Sequence, residues 1–372
     1  LPKAPKDAPP ITWEQTRAFR LQRQRLSDPL GPRSFLKVAR ELGGVQAQVA
    51  SAGELQIAVR ASGLQQGVIA KALTKDRNLV KTWMMRGTIH YLAAEDLAIW
   101  SSASATAPLW NKGYWQREFG VGEKDIQAAA NAVEDVLSDE PMTRAEIADA
   151  IYAKVKNKGL DELVRAGWGS FLKIIARQGQ LCFGPPVGRN VTFVRPSDWV
   201  SDWRKISTED ALKEVFLRYL GTHGPATREE FARWWGFAPA RASPVIRSAD
   251  REVGVFDREG QAAYVLKKDL KALQSAVEDG DLRLLGMFDA YVLAGLPHDQ
   301  IVPKRHKDKV YTTGAWVQRT VLRGGRVVGV WRPARKNGYD ITLFDRSATR
   351  KQVLELIEEF PVASASDTAA VG

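Results

Sequence analysis

The chain has 372 residues, 44% hydrophobic and 26% charged, which fits a globular protein of two or three domains and excludes a disordered one. It carries a net charge of +11, one cysteine (Cys182) and four histidines. A single cysteine excludes an internal disulfide and leads us to expect a reducing, cytoplasmic setting. No histidine stands at a metal-ligand spacing from a different ligand type, so neither metal nor cofactor is expected. The longest apolar stretch, 284–296, is interrupted by Asp289 and falls short of the ~20 residues of a bilayer span, so no membrane partner is expected.

Residues 1–10 read as a loose segment, and from 11 to 28 the chain reads as a basic amphipathic helix. Thr12 is a cap, and Trp13, Ala18 and Leu21 begin an apolar stripe. A helix over 34–42 stops at Gly43-Gly44, a helix over 49–60 follows, and another begins at 68. Two strands, 79–84 and 88–92, turn at Arg86-Gly87. Three short helices and a two-stranded ribbon make the plan of a winged helix, a unit expected over 11–120.

The same order recurs over 121–202: helices at 124–137, from 141, and at 163–178, then a hairpin across 181–194. It recurs again over 203–268, with helices at 207–219, from 225, and at 242–249, then a hairpin over 253–266. Thr143-Arg144-Ala145-Glu146 and Thr227-Arg228-Glu229-Glu230 are capping boxes about 84 residues apart, which marks an internal repeat. Trp234-Trp235 belong to the third unit's core, and Trp83-Met84 to the first wing's. Over 269–360 the pattern changes to strands at 310–312, 316–322, 326–332 and 339–344, with Gly324-Gly325 as a tight turn and a closing helix at 348–359. The expected fold is therefore α+β: three tandem winged helices, a C-terminal small β domain, and a disordered tail over 361–372.

Charge is concentrated in two places. Residues 304–336 hold ten Lys/Arg against Asp308, and the first forty residues hold nine against three acids. Everything else is net acidic, which points to a surface for a polyanion.

No phosphate loop, nucleophile motif or metal constellation occurs, so the chemistry must come from other polar groups. Gln46 and Gln48 are two positions apart. In a helix their side chains diverge by about 200°, whereas in extended backbone they share a side. Gly43-Gly44 permits the extended approach. An amide offers both donor and acceptor and can orient a water, but it is no general base at neutral pH. Taken alone, the pair reads as caps or surface hydrogen-bonding groups in preference to catalytic amides.

Four blocks bear on these readings. Leu42-Gly43-Gly44-Val45-Gln46-Ala47-Gln48, Leu79 through His90, Leu285 through Leu293, and Gly325 through Arg332 together resemble the bacterial AlkZ/YcaQ-like winged-helix DNA glycosylases. The resemblance spans about 12–360 and implies excision of N7-alkylated purines from double-stranded DNA, with interstrand crosslinks as a second substrate. It further implies a Gln-apolar-Gln catalytic motif, matched by Gln46 and Gln48, and a β-hairpin entering the DNA, for which the basic segment 304–309 is the candidate. The DNA contacts expected are Arg86, His90, Lys304, Arg305, His306, Lys307, Lys309 and Arg332, in a monomer. His90 reads equally as a structural histidine, and Asp289 as an arginine's partner in preference to an acid catalyst. The competing function is a non-enzymatic winged-helix DNA-binding regulator.

Overall fold

The computed structural model describes residues 10–105, 112–166, 170–201 and 203–360; the expected tail over 361–372 lies outside them. The fold is mixed α+β, with many short helices and small sheets. The chain divides into two compact units, one from residues 1–65 and 213–368, the other built on 66–212. The segment 11–120 thus contributes to both.

In the first unit, helix Trp13–Arg23 opens with the expected cap: Thr12 accepts from the Gln15 backbone at 3.1 Å, and the Gln15 side chain accepts from the Thr12 N–H. Helices Phe35–Glu41 and Ala50–Ala58 follow. Helix Thr208–His223 then leads to helices Arg228–Trp235 and Pro239–Ser248 and to the hairpin Val253–Arg258 with Gln261–Leu266. The Thr227–Glu230 capping box is formed. Trp234 and Trp235 are buried, with the Trp234 ring 4.8 Å from Tyr219, so these residues are core as expected. An antiparallel four-stranded sheet runs in the order Leu282–Leu285, Thr320–Arg323, Arg326–Pro333, Tyr339–Leu343. Helix Arg350–Glu359 closes it, seating Val353 and Ile357 against Leu284, Val328 and Trp331.

Two expectations here need correction. The run 316–322 is not one strand: Trp316–Val317 pairs back on Tyr311–Thr312 as a separate hairpin, while Thr320–Arg323 joins the large sheet. The basic segment 304–309 is not a hairpin. Lys304–His306 is a 3-10 turn and Lys307–Val310 a helical turn, entered from Pro303 and pinned by buried Val310.

In the second unit, helix Val68–Thr74 precedes strands Leu79–Trp83 and Ile89–Ala93, paired antiparallel from Leu79↔Ala93 to Trp83↔Ile89. Arg86 and Gly87 take positive φ in the turn between them, as the sequence indicates. Helices Glu123–Val136 and Arg144–Val155 follow, the latter opened by the Thr143–Glu146 box. The helix expected over 163–178 is in fact two, Lys158–Arg165 and Ser170–Arg177, since Ala166 leaves the helical conformation at ψ 122°. Strands Cys182–Phe183, Thr192–Val194 and Met142–Thr143 form a small sheet. Trp83 packs into this unit's core, 4.5 Å from the Phe183 ring and 5.9 Å from Phe193.

Candidate active site

The segment that carries the two amides is built by a helix stop. After helix Phe35–Glu41, Gly43 and Gly44 adopt φ of 69° and 99°, a region closed to most side chains. Their N–H groups donate back to the carbonyls of Arg40 at 3.0 Å and Ala39 at 3.3 Å, which satisfies the helix end. The chain then leaves extended. Val45–Gln46 is a short strand, Ala47 and Gln48 lie outside any helix, and the next helix begins only at Ala50. Val45 and Ala47 are fully buried and anchor the backbone, Gln46 is 8% exposed, and Gln48 faces solvent. The helical geometry that would force the amides apart is therefore absent from this segment.

Behind the segment lies a polar cluster that sequence reasoning missed. Gln56, on helix Ala50–Ala58, donates from Nε2 to the Gln46 carbonyl at 2.9 Å. Its Oε1 accepts from the Ala290 N–H at 3.2 Å. Arg60, one turn on, donates to the Gln56 carbonyl at 2.9 Å, to the Gln24 carbonyl at 2.8 Å, and through both terminal nitrogens to Asp289 at 2.7 and 2.8 Å. Both side chains of this ion pair are completely buried. Asp289 also caps the turn Ala290–Leu293 by accepting from the Tyr291 N–H at 2.9 Å. It is thus the partner of an arginine, as its sequence context indicates. The available signal was two polar residues four apart among Ala52, Leu55 and Ile57, positions that a core helix fills with apolar side chains.

Glu54 lies half-buried on the same helix, with no ion-pair partner among the described residues. Burial raises its pKa above the usual carboxylate range, so a cation brought beside it restores the charged form.

The expected DNA contacts scatter. Lys304, Arg305 and Lys309 are exposed, Lys307 is half-buried, and none of the four forms an ion pair among the described residues. His306 stacks on Phe344 at 4.1 Å between centroids. Arg332 is exposed and paired with Asp340 at 3.1 Å. Arg86 is exposed at the turn of its hairpin. His90 is 2% exposed, with Nδ1 2.9 Å from the Thr88 carbonyl. Burial first, and then the Arg86 charge, lower its pKa to about 3, so it is neutral at physiological pH. The buried ring thus presents almost no surface to a ligand. Cys182 is buried and its thiol pKa is pushed up by desolvation, which removes it as a nucleophile. Among the described residues no group of His, Cys, Asp and Glu could hold a metal ion, and no helix is long and apolar enough to cross a membrane.

The glycine stop, the extended amide segment and its buried support sit within a stretch that a family model described as DNA glycosylase AlkZ-like matches, over residues 39–360. The chain belongs to that family and is a DNA glycosylase, an enzyme acting on N-glycosyl bonds in DNA. It is 35% identical over 327 residues to the interstrand DNA cross-link repair glycosylase of Streptomyces sahachiroi, covering 86% of this chain and 87% of that protein. Its fold is similar to the solved structure of Streptomyces sahachiroi DNA glycosylase AlkZ, with a TM-score of 0.88 at 31% identity over 95% of this chain and 96% of that one.

Proposed function

We propose that this glycosylase releases N7-alkylated purines from duplex DNA and that Gln46 and Gln48 position the attacking water. The observation that carries the reading is the non-helical backbone of residues 45–48, delivered by two glycines of positive φ. N7 alkylation places a positive charge on the purine. As the C1′–N9 bond breaks, its electron pair passes to the base and cancels that charge, so no strong acid is required. The sugar develops oxocarbenium character, and water adds to C1′ and gives its surplus proton to solvent. Two amide oxygens accepting from that water hold it in line, and fixed dipoles favour the developing positive charge.

In this reading each run of short helices and hairpin is a winged helix, and the exposed cations at 304–309 hold phosphate. The element that enters the DNA is the hairpin of Tyr311–Thr312 and Trp316–Val317, whose tip, Thr313 to Ala315, is exposed. Similarity to a cross-link repair glycosylase supports crosslinked purines as a second substrate. The enzyme acts as a monomer inside the cell.

The test is single-turnover release of N7-methylguanine from duplex DNA. Gln46→Ala and Gln48→Ala are each expected to slow release by about 10²-fold or more, with DNA affinity kept within a small factor. Rates unchanged in both variants would remove the assignment.

A further inference from the structure

We infer that Gln56 is a positioning residue for the Gln46–Gln48 segment, itself held by the buried Arg60–Asp289 pair; this rests on the reading that those two amides act on the reacting centre. The Gln46 carbonyl, which Gln56 Nε2 binds, belongs to the peptide plane joining Gln46 to Ala47. Rotation of that plane swings Gln48 relative to Gln46. Fixing the carbonyl therefore fixes the relation between the two amides.

Gln56 is fully buried, and a leucine would fill its space. What a leucine lacks is a donor at one point and an acceptor at another. Gln56 uses both: Nε2 serves Gln46, and Oε1 serves the Ala290 N–H. Its helix is in turn fixed in register, since Arg60 holds the Gln56 carbonyl and grips Asp289 with both terminal nitrogens. Gly286 allows the close approach: a Cβ there would stand 2.8 Å from Leu55 Cδ2 on that same helix.

The turn around Asp289 reaches further. Phe288, at φ 56°, donates its N–H to the Val317 carbonyl at 3.2 Å and sets its ring 5.1 Å from Trp316. Tyr291 donates from its hydroxyl to the Gly325 carbonyl at 2.8 Å. A positive φ at a bulky residue is strained backbone that persists only where its surroundings hold it. The 286–291 block thus anchors the amide segment and the root of the hairpin together. Three of the four sequence blocks meet here: the amides, 285–293 and the Gly325 turn.

Gln56→Met removes all three side-chain hydrogen bonds, to Gln46, Ala52 and Ala290, at similar volume. Gln56→Glu supplies a donor and an acceptor when its carboxyl is protonated, and loses the donor when it ionises. Burial raises the carboxyl pKa, so lowering the pH favours the protonated state that carries the donor. The experiment measures single-turnover N7-methylguanine release, duplex affinity and melting temperature for the full chain, with Gln46→Ala as control. Gln56→Met is expected to slow release on the order of 100-fold relative to wild type at every pH, with affinity nearly unchanged. The ratio of Gln56→Glu to wild type is expected to recover as pH falls. A Gln56→Met rate equal to wild type overturns the inference. So does a loss of rate in both variants that tracks loss of affinity, with no recovery of the Gln56→Glu ratio. If Gln56→Met does not fold, the pH-dependent ratio of Gln56→Glu alone decides. A wild-type enzyme that releases no base, or a Gln46→Ala variant as fast as wild type, overturns the underlying reading instead.

Discussion

Gln46 and Gln48 differ from a carboxylate in one respect that matters here: an amide can hold a water but cannot take its proton near neutral pH. A carboxylate at position 48 would add that ability. Gln48→Asp is expected to give a release rate that rises with pH through the carboxylate's pKa, whereas the native rate stays flat over the same range; a pH profile of single-turnover release decides. Two histidines make a separate statement about stability. His90 is buried with its pKa lowered to about 3, and His298, stacked on Tyr311 at 4.4 Å, is lowered to about 4, in both cases chiefly by desolvation. Both rings bind more protons unfolded, where the ordinary value is about 6.5. Their contribution is complete above that value and is lost as pH falls towards about 4 and about 3. The melting temperature is expected to fall on acidification below about pH 6.5, and His90→Gln to lower it at pH 7 while making the acid slope shallower.

Among the elements, the caps were legible because their chemistry is local. Thr12, Thr143 and Thr227 all bond within three residues, and each cap forms as read. The Gly43-Gly44 stop was legible for the same reason. The segment 304–309 forms helical turns and not the expected hairpin, although its charge is as read. Charge does not set backbone conformation, whereas Pro303, the buried Val310 and the His306–Phe344 stack do. The buried Arg60–Asp289 pair binds a helix to a turn far away in sequence. Removing one partner leaves the other charge unpaired inside the protein. Asp289→Asn is therefore expected to cost about 3–5 kcal/mol, read from denaturant unfolding.

At the scale of the whole molecule, the +11 net charge does two different jobs. Much of the N-terminal surplus is paired within the first unit, with Arg17 and Arg20 buried and Arg23 and Arg25 half-buried. Arg17 is buried on Glu278 at 2.6 Å, Arg20 donates to the Leu296 and Pro225 carbonyls, Arg23 pairs with Asp269, and Arg25 with Glu41 at 2.8 Å. These arginines stabilise contacts within one unit. Lys304, Arg305 and Lys309 are exposed without an ion pair among the described residues. Reversing these three to Glu is expected to weaken duplex binding steeply and to reduce its logarithmic salt slope by about 0.9 per lost phosphate contact, with little change in melting temperature. Reversing Arg17 is expected to do the opposite: a lower melting temperature and an unaltered salt slope.

By itself, the sequence determined what neighbours within a few residues decide: the capped helices, the glycine stop and the Arg86-Gly87 turn; it permitted the extended approach to Gln46 and Gln48 without requiring it. The resemblance of its four blocks to the family agrees with the match over 39–360. Only the tertiary structure decided which cations are exposed and which are internal, where the 311–317 hairpin lies, and that Gln56 holds the Gln46 carbonyl. The reason is physical. Caps and turns are set by local backbone sterics and short-range hydrogen bonds, whereas the burial of a charge and its partner depend on residues that come together only when the chain has folded.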